Sequence, residues 1–407
     1  MRAQAPAGCA VSLCRDPAEF AALADEWDRL HRACGSATPF QSHAWLHSWW
    51  LSYGTPGRLR VVLVRAEGPP GRGELIAAAP LMLVHRPLPL LVPLGGAISD
   101  YGDVLVDDSR AGLALPALAH GIGRAARHAV VDLREVRPGG AAERLWESWP
   151  GPRARLADSV CMELPALPVE DLVARMPANR AQRVRAKLRK LDALGIEAHP
   201  VPPHEVPGGV DLLLRLHELQ WRGRGVNVEH LRPRFRDHLV RATGAMAARG
   251  HASLTEFRMD GRPVAAGLTL RAGRLSGGYL YGADPVLRER KADVAAMLLR
   301  EEARQATGHG LTVLSLLRGS EPYKNHWRPE AVTSGRLLLA RPALEPLLRL
   351  HESRARLRER AAEMVRSRVP AAREWRGRLN DWRARGTGGG PPGQTPVTAP
   401  SGPPRGG

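Results

Sequence analysis

The segment LLRGSEPYKNHW, residues 316–327, concentrates side chains capable of acid–base and anion chemistry. Its first four residues are the end of LTVLSLLRG, whose apolar run predicts a buried strand. Sheets of α/β proteins commonly expose ligand-binding groups where such strands end. A tyrosine can serve as general acid, a glutamate as base, and a lysine or arginine as anion clamp. We therefore predict a site formed by Arg318, Glu321, Tyr323, Lys324 and Trp327. The alternative is a polar loop whose tryptophan packs inward.

A second candidate site lies at the start of a predicted helix. Asp284 and Pro285 form a turn after a strand, and the cations Arg288, Arg290 and Lys291 come directly before the helix. A helix N-terminus carries unpaired N–H groups and a partial positive charge, and neighbouring cations add charge-assisted hydrogen bonds to a phosphate. A pyrophosphate such as that of CoA fits this pattern. The alternative is a solvated helix start with ordinary surface arginines.

Other kinds of chemistry have no support in the sequence. There is no G-x-S-x-G motif, no P-loop and no metal-ligand spacing among the 15 histidines, so we predict no metal site. The four cysteines match no zinc or redox motif and are too sparse for a disulfide scaffold. We predict reduced thiols at Cys9, Cys14, Cys34 and Cys161.

Composition describes a folded, strongly basic chain. Its 407 residues are 43% apolar, enough for two domain-sized cores, and its formal charge of +18 favours anionic partners. The N-terminus lacks a continuous apolar stretch, and no run of 18 apolar residues exists. We therefore expect no signal peptide, no membrane span and a cytoplasmic protein.

The elements that would position these residues occur twice. GELIAAAPL lies 188 residues before GRPVAAGLT, and AVVDL lies about 183 residues before TVLSL. Equal order and similar offset favour duplication of a strand–turn–strand–strand–helix–strand unit. Chance similarity of short alanine-rich strands is the alternative. We predict an α/β (α+β) fold with one half at residues 1–165 and the other at 166–340, each a mixed, largely antiparallel sheet flanked by helices.

The C-terminal part of the chain has a different composition. Residues 341–385 predict a basic helical extension, and the Gly/Pro-rich residues 386–407 predict a disordered tail. The arginine-rich helices can contact anionic lipid or nucleic acid. The favoured alternative is a solvated helix that packs on the domain through Leu350, Leu357 and Trp375.

Six segments together resemble a known family over roughly residues 12–340. They are PFQSHAWLHSWW, SDYGDVLVD, LQWRGRG, DGRPVAAGL, YGADP and LLRGSEPYKNHW. The chain resembles GNAT-type acetyltransferases of the BioF2-like class, often labelled cellulose-biosynthesis CelD-like and related to the FemAB peptidyltransferases. This resemblance implies two tandem GNAT-like halves, with an acyl thioester bound in the second.

The resemblance also implies a reaction. Acetyl-CoA or another acyl-CoA would be a co-substrate and not a permanently bound cofactor, and the amine of a small molecule or sugar precursor would attack the thioester without an acyl-enzyme. The backbone near Leu280 and Tyr281 would contact the oxyanion, and Tyr323 would protonate the departing thiolate. Trp221 and Arg222 of the LQWRGRG segment would lie on the substrate side.

One departure from the family keeps two alternatives open. Relatives commonly carry a glycine-containing turn before the pyrophosphate helix, whereas this turn, RERKADV, has none. One alternative is a catalytically degenerate scaffold in polysaccharide or envelope biosynthesis. The other is FemAB-like aminoacyl transfer from a charged tRNA, suggested by the basic helix at residues 180–190.

Overall fold

A computed structural model describes residues 8–68, 73–85, 87–222, 227–319 and 324–368. Within these residues the strands form one mixed sheet of 13 strands. The strands are β1 Cys9–Cys14, β2 Leu59–Ala66, β3 Leu75–His85, β4 Pro89–Pro93, β5 Leu105–Val106, β6 Val130–Val136, β7 Arg153–Pro165, β8 Glu197–Pro200, β9 Ala252–Met259, β10 Arg262–Ala272, β11 Leu275–Ala283, β12 Val313–Arg318 and β13 Glu330–Leu339.

Helices cover both faces of this sheet, which explains why β3 and β10 are apolar along almost their whole length. The helices are α1 Pro17–Ala22, α2 Ala24–Ala33, α3 His43–Tyr53, α4 Ala111–Ala125, α5 Ala141–Glu147, α6 Val169–Ala174, α7 Ala178–Ala193, α8 Val206–Trp221, α9 Pro233–Ala248, α10 Val286–Glu289, α11 Val294–Gly308 and α12 Glu345–Arg368. None of these helices is long and apolar enough to cross a membrane.

The two halves share the sheet by exchanging strands. The order is β1-β2-β3-β4-β6-β13-β7-β12-β11-β10-β9-β8, with β5 beside β3. β13, near the end of the second half, thus lies between β6 and β7 of the first half, and β7 in turn pairs with β12. The exchange joins the halves through backbone hydrogen bonds along two complete strands.

The predicted fold class is confirmed: the sheet is mixed, largely antiparallel and flanked by helices. In the described residues, parallel pairing is limited to β4 with β6 and β11 with β12. These two pairs occupy equivalent places in the repeated order of strands and helices. The division of the chain at residues 165 and 166 stays a prediction, because the exchanged strands cross it.

Helix α12 begins the C-terminal extension and packs against the sheet with one face. Leu348, His351 and Ala355 are buried there, whereas Leu350 and Leu357 are 43% and 67% exposed. The expected packing through Leu350 and Leu357 is therefore wrong, since the helical register turns both leucines outward. Trp375, the rest of the extension and the Gly/Pro-rich tail lie outside the described residues.

Candidate active site between strands β11 and β12

The parallel strands β11 and β12 separate part-way along their length. Backbone pairing joins Leu275–Gly277 to Val313–Ser315 and then stops. Beyond that point, residues 278–281 of β11 and residues 316–318 of β12 line a cavity of about 420 Å³. Strands that part in this way leave backbone N–H groups without a ladder partner, and such groups can stabilise an oxyanion.

A β-bulge changes the direction of β11 beside this opening. Leu268 of β10 pairs with Leu280, and the next residue, Thr269, pairs with Gly278, so Tyr279 is the extra residue. A bulge bends its strand and redirects side chains. The Tyr279 hydroxyl donates to the Ile98 carbonyl at 2.9 Å, and its ring packs edge-to-face on Trp45. The bulge therefore attaches β11 to the first half at the cavity.

Six of the predicted site residues meet on the walls of this one cavity. They are Trp221, Leu280, Tyr281, Arg318, Lys324 and Trp327. Arg222 is exposed at the C-terminal end of α8, and Arg288 is exposed on α10. Arg290 and Lys291 are exposed between α10 and α11. Glu321 and Tyr323 lie outside the described residues. The catalytic and binding roles of all these residues stay predictions.

Sequence reasoning missed Glu302, which projects from α11 into the cavity. Burial raises the pKa of Glu302 to about 8, Lys324 opposes the shift and Glu301 adds to it. A carboxylate with a pKa near the working pH can accept a proton during catalysis. The available signal was spacing: Ala295, Leu298, Leu299 and Glu302 fall on one helical face, and this face lines the cavity.

Arg318 forms ion pairs and hydrogen bonds with residues of the first half of the chain. Its guanidinium bonds to Asp100 at 3.0 Å and Glu135 at 3.1 Å, and it also donates to the Ala97 and Ser99 carbonyls. These contacts use the planar fork of an arginine, which lysine lacks. The predicted anion clamp is thus a connection between the halves, and anion binding by Arg318 stays a prediction.

Lys324 is buried close to Arg318. Its Nζ donates to the Arg318 carbonyl at 2.9 Å and to the Gly319 carbonyl at 3.4 Å. The same ammonium favours the ionised form of Glu302 electrostatically. Lys324 therefore ties the chain after β12 to the strand end and contributes positive charge to the cavity.

A chain of neutral side chains supports the opposite wall. His217 Nδ1 lies 2.7 Å from the Tyr281 carbonyl, and His217 Nε2 lies 3.1 Å from His230 Nδ1. Because the carbonyl only accepts, His217 must donate from Nδ1 and accept at Nε2. His230 therefore donates from Nδ1 and accepts at Nε2 from Asn227, 3.2 Å away. Burial lowers the pKa of both histidines, that of His230 to about 4.

The N-terminus of α11, where a pyrophosphate was expected, holds a carboxylate. Asp293 caps the helix by accepting from Ala296 N–H at 2.9 Å, and it forms an ion pair with Lys187 at 2.6 Å. Lys291 adopts a φ of 54°, in the left-handed region that favours glycine. A side chain thus occupies a backbone conformation in this turn that glycine would adopt without strain.

The equivalent opening in the first half is filled by protein. β4 and β6 pair in parallel only at Leu90 with Val130 and Leu91 with Val131. Beyond that pair, Gly102 N–H donates to the Glu135 carbonyl at 2.9 Å. A Cβ at Gly102 would lie 2.4 Å from the Arg134 carbonyl oxygen, so only glycine fits there. Among the described residues, backbone thus bridges the parting of β4 and β6, whereas the parting of β11 and β12 opens into the cavity.

A comparison with known protein families concerns the same part of the chain. Residues 178–325 match the model of the acetyltransferase (GNAT) domain. This part of the chain is similar to a GNAT domain. The matched residues include β11, α11 and β12, which together form most of the cavity wall. No curated protein matches the sequence.

Several solved structures are similar to this chain at low sequence identity. FemX is 13% identical and has a TM-score of 0.56, covering 80% of this chain and 97% of its own. L-PGS from Bacillus licheniformis is 12% identical, with coverages of 80% and 92% and a TM-score of 0.47. A tandem GNAT protein from the clavulanic acid biosynthesis pathway is 13% identical, with coverages of 82% and 99% and a TM-score of 0.40. At such identities the likeness to FemX concerns the fold alone.

Proposed function

We propose that this protein is an N-acyltransferase that moves an acyl group from acyl-CoA to an amine in the cavity between β11 and β12. One observation carries the proposal: Glu302, with a pKa of about 8, faces the point where these two strands part within the GNAT-matching segment. A base of this pKa suits an amine, which must lose a proton to attack a thioester.

In the proposed step, the amine nitrogen attacks the thioester carbonyl directly. The C–N bond forms as the C–S bond breaks, Glu302 takes the proton from nitrogen, and the departing thiolate takes a proton from an acid. An N–H of β11 near Leu280 stabilises the developing oxyanion. Tyr323 remains the proposed acid from the sequence, with Glu321 as a second titratable group beside it.

Acyl-CoA is the proposed donor because the chain is strongly basic and cations precede α11. Arg288, Arg290 and Lys291 are exposed there and suit the phosphates of CoA. Asp293 works against an anion at the same helix end. Titration calorimetry should detect CoA binding, and replacing Arg290 and Lys291 together by alanine should weaken it more than tenfold. The absence of heat with the intact protein would exclude CoA.

Catalysis is tested by release of free thiol from acyl-CoA with a panel of amines, including amino sugars. All four cysteines are buried, so a thiol reagent should show little background. The Glu302→Gln variant tests the chemistry at this site, and Glu359→Gln, at an exposed position on α12, is the matched surface control. Amine-dependent release that is lost only in the first variant is the expected result.

A second candidate is aminoacyl transfer from a charged tRNA. It is favoured by α7, which presents six cations on its exposed surface: Arg180, Arg183, Arg185, Lys187, Arg189 and Lys190. Such clusters bind phosphate backbones with strong salt dependence. Retardation of tRNA that weakens steeply with salt, together with no CoA binding, would favour this candidate. If neither acyl-CoA nor charged tRNA supports transfer, the alternative of a catalytically degenerate scaffold protein is favoured. Membership of the BioF2-like class remains a proposal for each of these functions.

A further inference from the structure

The outer face of helix α12 carries a stripe of apolar side chains. Leu350, Leu357 and Met364 are between 43% and 67% exposed, whereas Leu348 and Ala355 are buried on the face that packs against the sheet. A spacing of seven residues is almost two full helical turns, so the three exposed side chains form an apolar stripe about 21 Å long on one side of the helix. Half of the large apolar side chains that are exposed in the described part of the chain lie in this stripe, which makes it a candidate interaction surface.

Arginines flank the apolar stripe on both sides. At about 100° per residue, Arg354 lies about 60° to one side of the stripe and Arg360 about 60° to the other, and Arg358 follows beyond Arg354. All three arginines are exposed. The stripe therefore lies between cations that reach the same surface of the helix.

The glutamate side chains described for α12 lie away from the apolar stripe. Glu345, Glu352 and Glu359 are each more than about 100° from it around the helix axis. The arginine–glutamate ion pairs that α12 forms within the described residues are those of Arg349 and Arg356. The arginines nearest the stripe therefore keep their positive charge, and the outer face of α12 combines apolar and cationic groups.

We propose that the outer face of α12 binds the surface of an anionic lipid bilayer. The apolar stripe enters the boundary between the headgroups and the acyl chains, and the flanking arginines bind lipid phosphates. A helix with an apolar stripe between cations lies in the plane of such an interface. Arginine suits its edges, because its methylenes cover apolar surface while its guanidinium stays at the headgroups. The proposal does not depend on the acyltransferase function.

The charges around the stripe favour a lipid surface over two other occupants. A second copy of α12 packed on the stripe would bring Arg354 and Arg360 against the arginines of the other copy, and like charges beside an apolar seam oppose pairing. A nucleic acid would bind the cations but leave Leu350 and Leu357 in water. An anionic bilayer offers negative charge and an apolar phase together, so it matches both components of this face.

Sedimentation of the full chain with vesicles tests the proposal. The chain should bind vesicles made of equal parts phosphatidylcholine and phosphatidylglycerol, and should bind vesicles of phosphatidylcholine alone much less. Because the formal charge of +18 attracts the chain to any anionic surface, the decisive variants change no charge. The absence of binding by the intact chain would refute the proposal.

Serine substitutions in the stripe separate insertion from general attraction. Leu350→Ser combined with Leu357→Ser should lower the partition coefficient onto the anionic vesicles at least about tenfold. Leu51→Ser combined with Leu231→Ser removes two exposed leucines outside α12 and is the matched control, which should leave the partition coefficient unchanged. Equal partition coefficients in the two double variants would overturn the proposal.

The arginines beside the stripe should contribute more than cations elsewhere. Arg354→Gln combined with Arg360→Gln should weaken binding to the anionic vesicles about tenfold. Arg183→Gln combined with Arg189→Gln removes the same charge from exposed positions of α7 and should weaken binding no more than about twofold. Equal losses would mean that overall charge and not α12 directs the chain to the vesicles, which would contradict the proposal.

A fluorescent label reports which face of the helix enters the bilayer. All four native cysteines are buried, so Leu357→Cys and Glu359→Cys each offer one accessible thiol for an environment-sensitive label. On the anionic vesicles the label at position 357 should brighten and shift to the blue, and the label at position 359, roughly 160° around the helix, should change little. The same response at both positions would contradict insertion of the stripe. A dimer that forms without vesicles and is lost in the Leu350→Ser, Leu357→Ser variant would assign the stripe to a second copy and overturn the proposal.

Discussion

The carboxylate of Glu302 lies directly against the backbone of Gly278. A Cβ at Gly278 would come within 2.0 Å of Glu302 Oε1 and 2.6 Å of its Cδ. Glycine is therefore required for Glu302 to approach β11 at the point where the strands part. This close approach also accounts for the burial that raises the pKa of Glu302.

Gly278→Ala should displace the Glu302 carboxylate while the fold is retained, because a carboxylate at the end of a flexible side chain can swing aside. We expect kcat/KM for acyl transfer to fall at least tenfold, with a thermal midpoint within a few degrees of wild type. Gly244→Ala is the matched control, since its Cβ would meet open space on α9. That variant should gain up to about 1 kcal/mol from helix propensity and keep full activity. Full activity in Gly278→Ala would refute the role assigned to this contact.

The pH dependence of activity should report the titration of Glu302. Since the base acts when deprotonated, kcat/KM should rise with pH and level off above about 8. Glu302→Gln should lower kcat/KM by about 10²–10⁴ and remove this limb of the profile. A profile with the same midpoint in the variant would mean that another group titrates.

The free energy of unfolding should also depend on pH because of Glu302. The folded-state pKa of Glu302 is raised to about 8, so the folded state keeps a proton that the unfolded chain loses near its ordinary value of 4.5. Glu302 therefore reduces stability progressively as pH rises between these two values. Glu302→Gln should gain in thermal midpoint relative to wild type at pH 9 and gain little at pH 4.5. Equal differences at both pH values would contradict the raised pKa.

Arg318 should contribute to stability through its contacts with the first half. Arg318→Met removes an ion-pair partner of Asp100 and of Glu135, which are both largely buried, and should cost about 2–3 kcal/mol in the free energy of unfolding. Arg300→Met, which removes a cation as exposed as Arg318 but paired with the exposed Asp192, should cost about 1 kcal/mol or less. Urea unfolding of both variants provides the measurement. Similar losses in the two would argue against a special role for Arg318 between the halves.

Asp293 should weaken anion binding at the start of α11. Asp293→Ser keeps a capping hydroxyl, removes the negative charge and releases Lys187 from its ion pair. If CoA places its phosphates there, calorimetry should show CoA binding about three- to tenfold more tightly. Asp16→Ser, at the cap of α1, is a control that should leave CoA affinity unchanged. An unchanged CoA affinity in Asp293→Ser would mean that the CoA phosphates bind at another surface.

The sequence by itself determined the kinds of elements and their repeated order. Alternating and helical apolar patterns are local, so β10, β11 and β12 and the intervening helix were predictable from their own residues. The gathering of Arg318, Lys324 and Trp327 near one strand end also followed from position along the chain, whereas Tyr281 was placed with them by the family resemblance. The glycine-free turn was visible as well, and its structural counterpart is the left-handed backbone at Lys291.

Only the tertiary structure decided which groups meet in the cavity. Glu302 gains its raised pKa from burial against Gly278, 24 residues away along the chain, and no local pattern encodes that distance. The partners of Arg318 come from the first half, because β13 and β7 are exchanged in the shared sheet. Strand order and the packing across it depend on contacts between residues far apart in sequence, and these contacts fix the site.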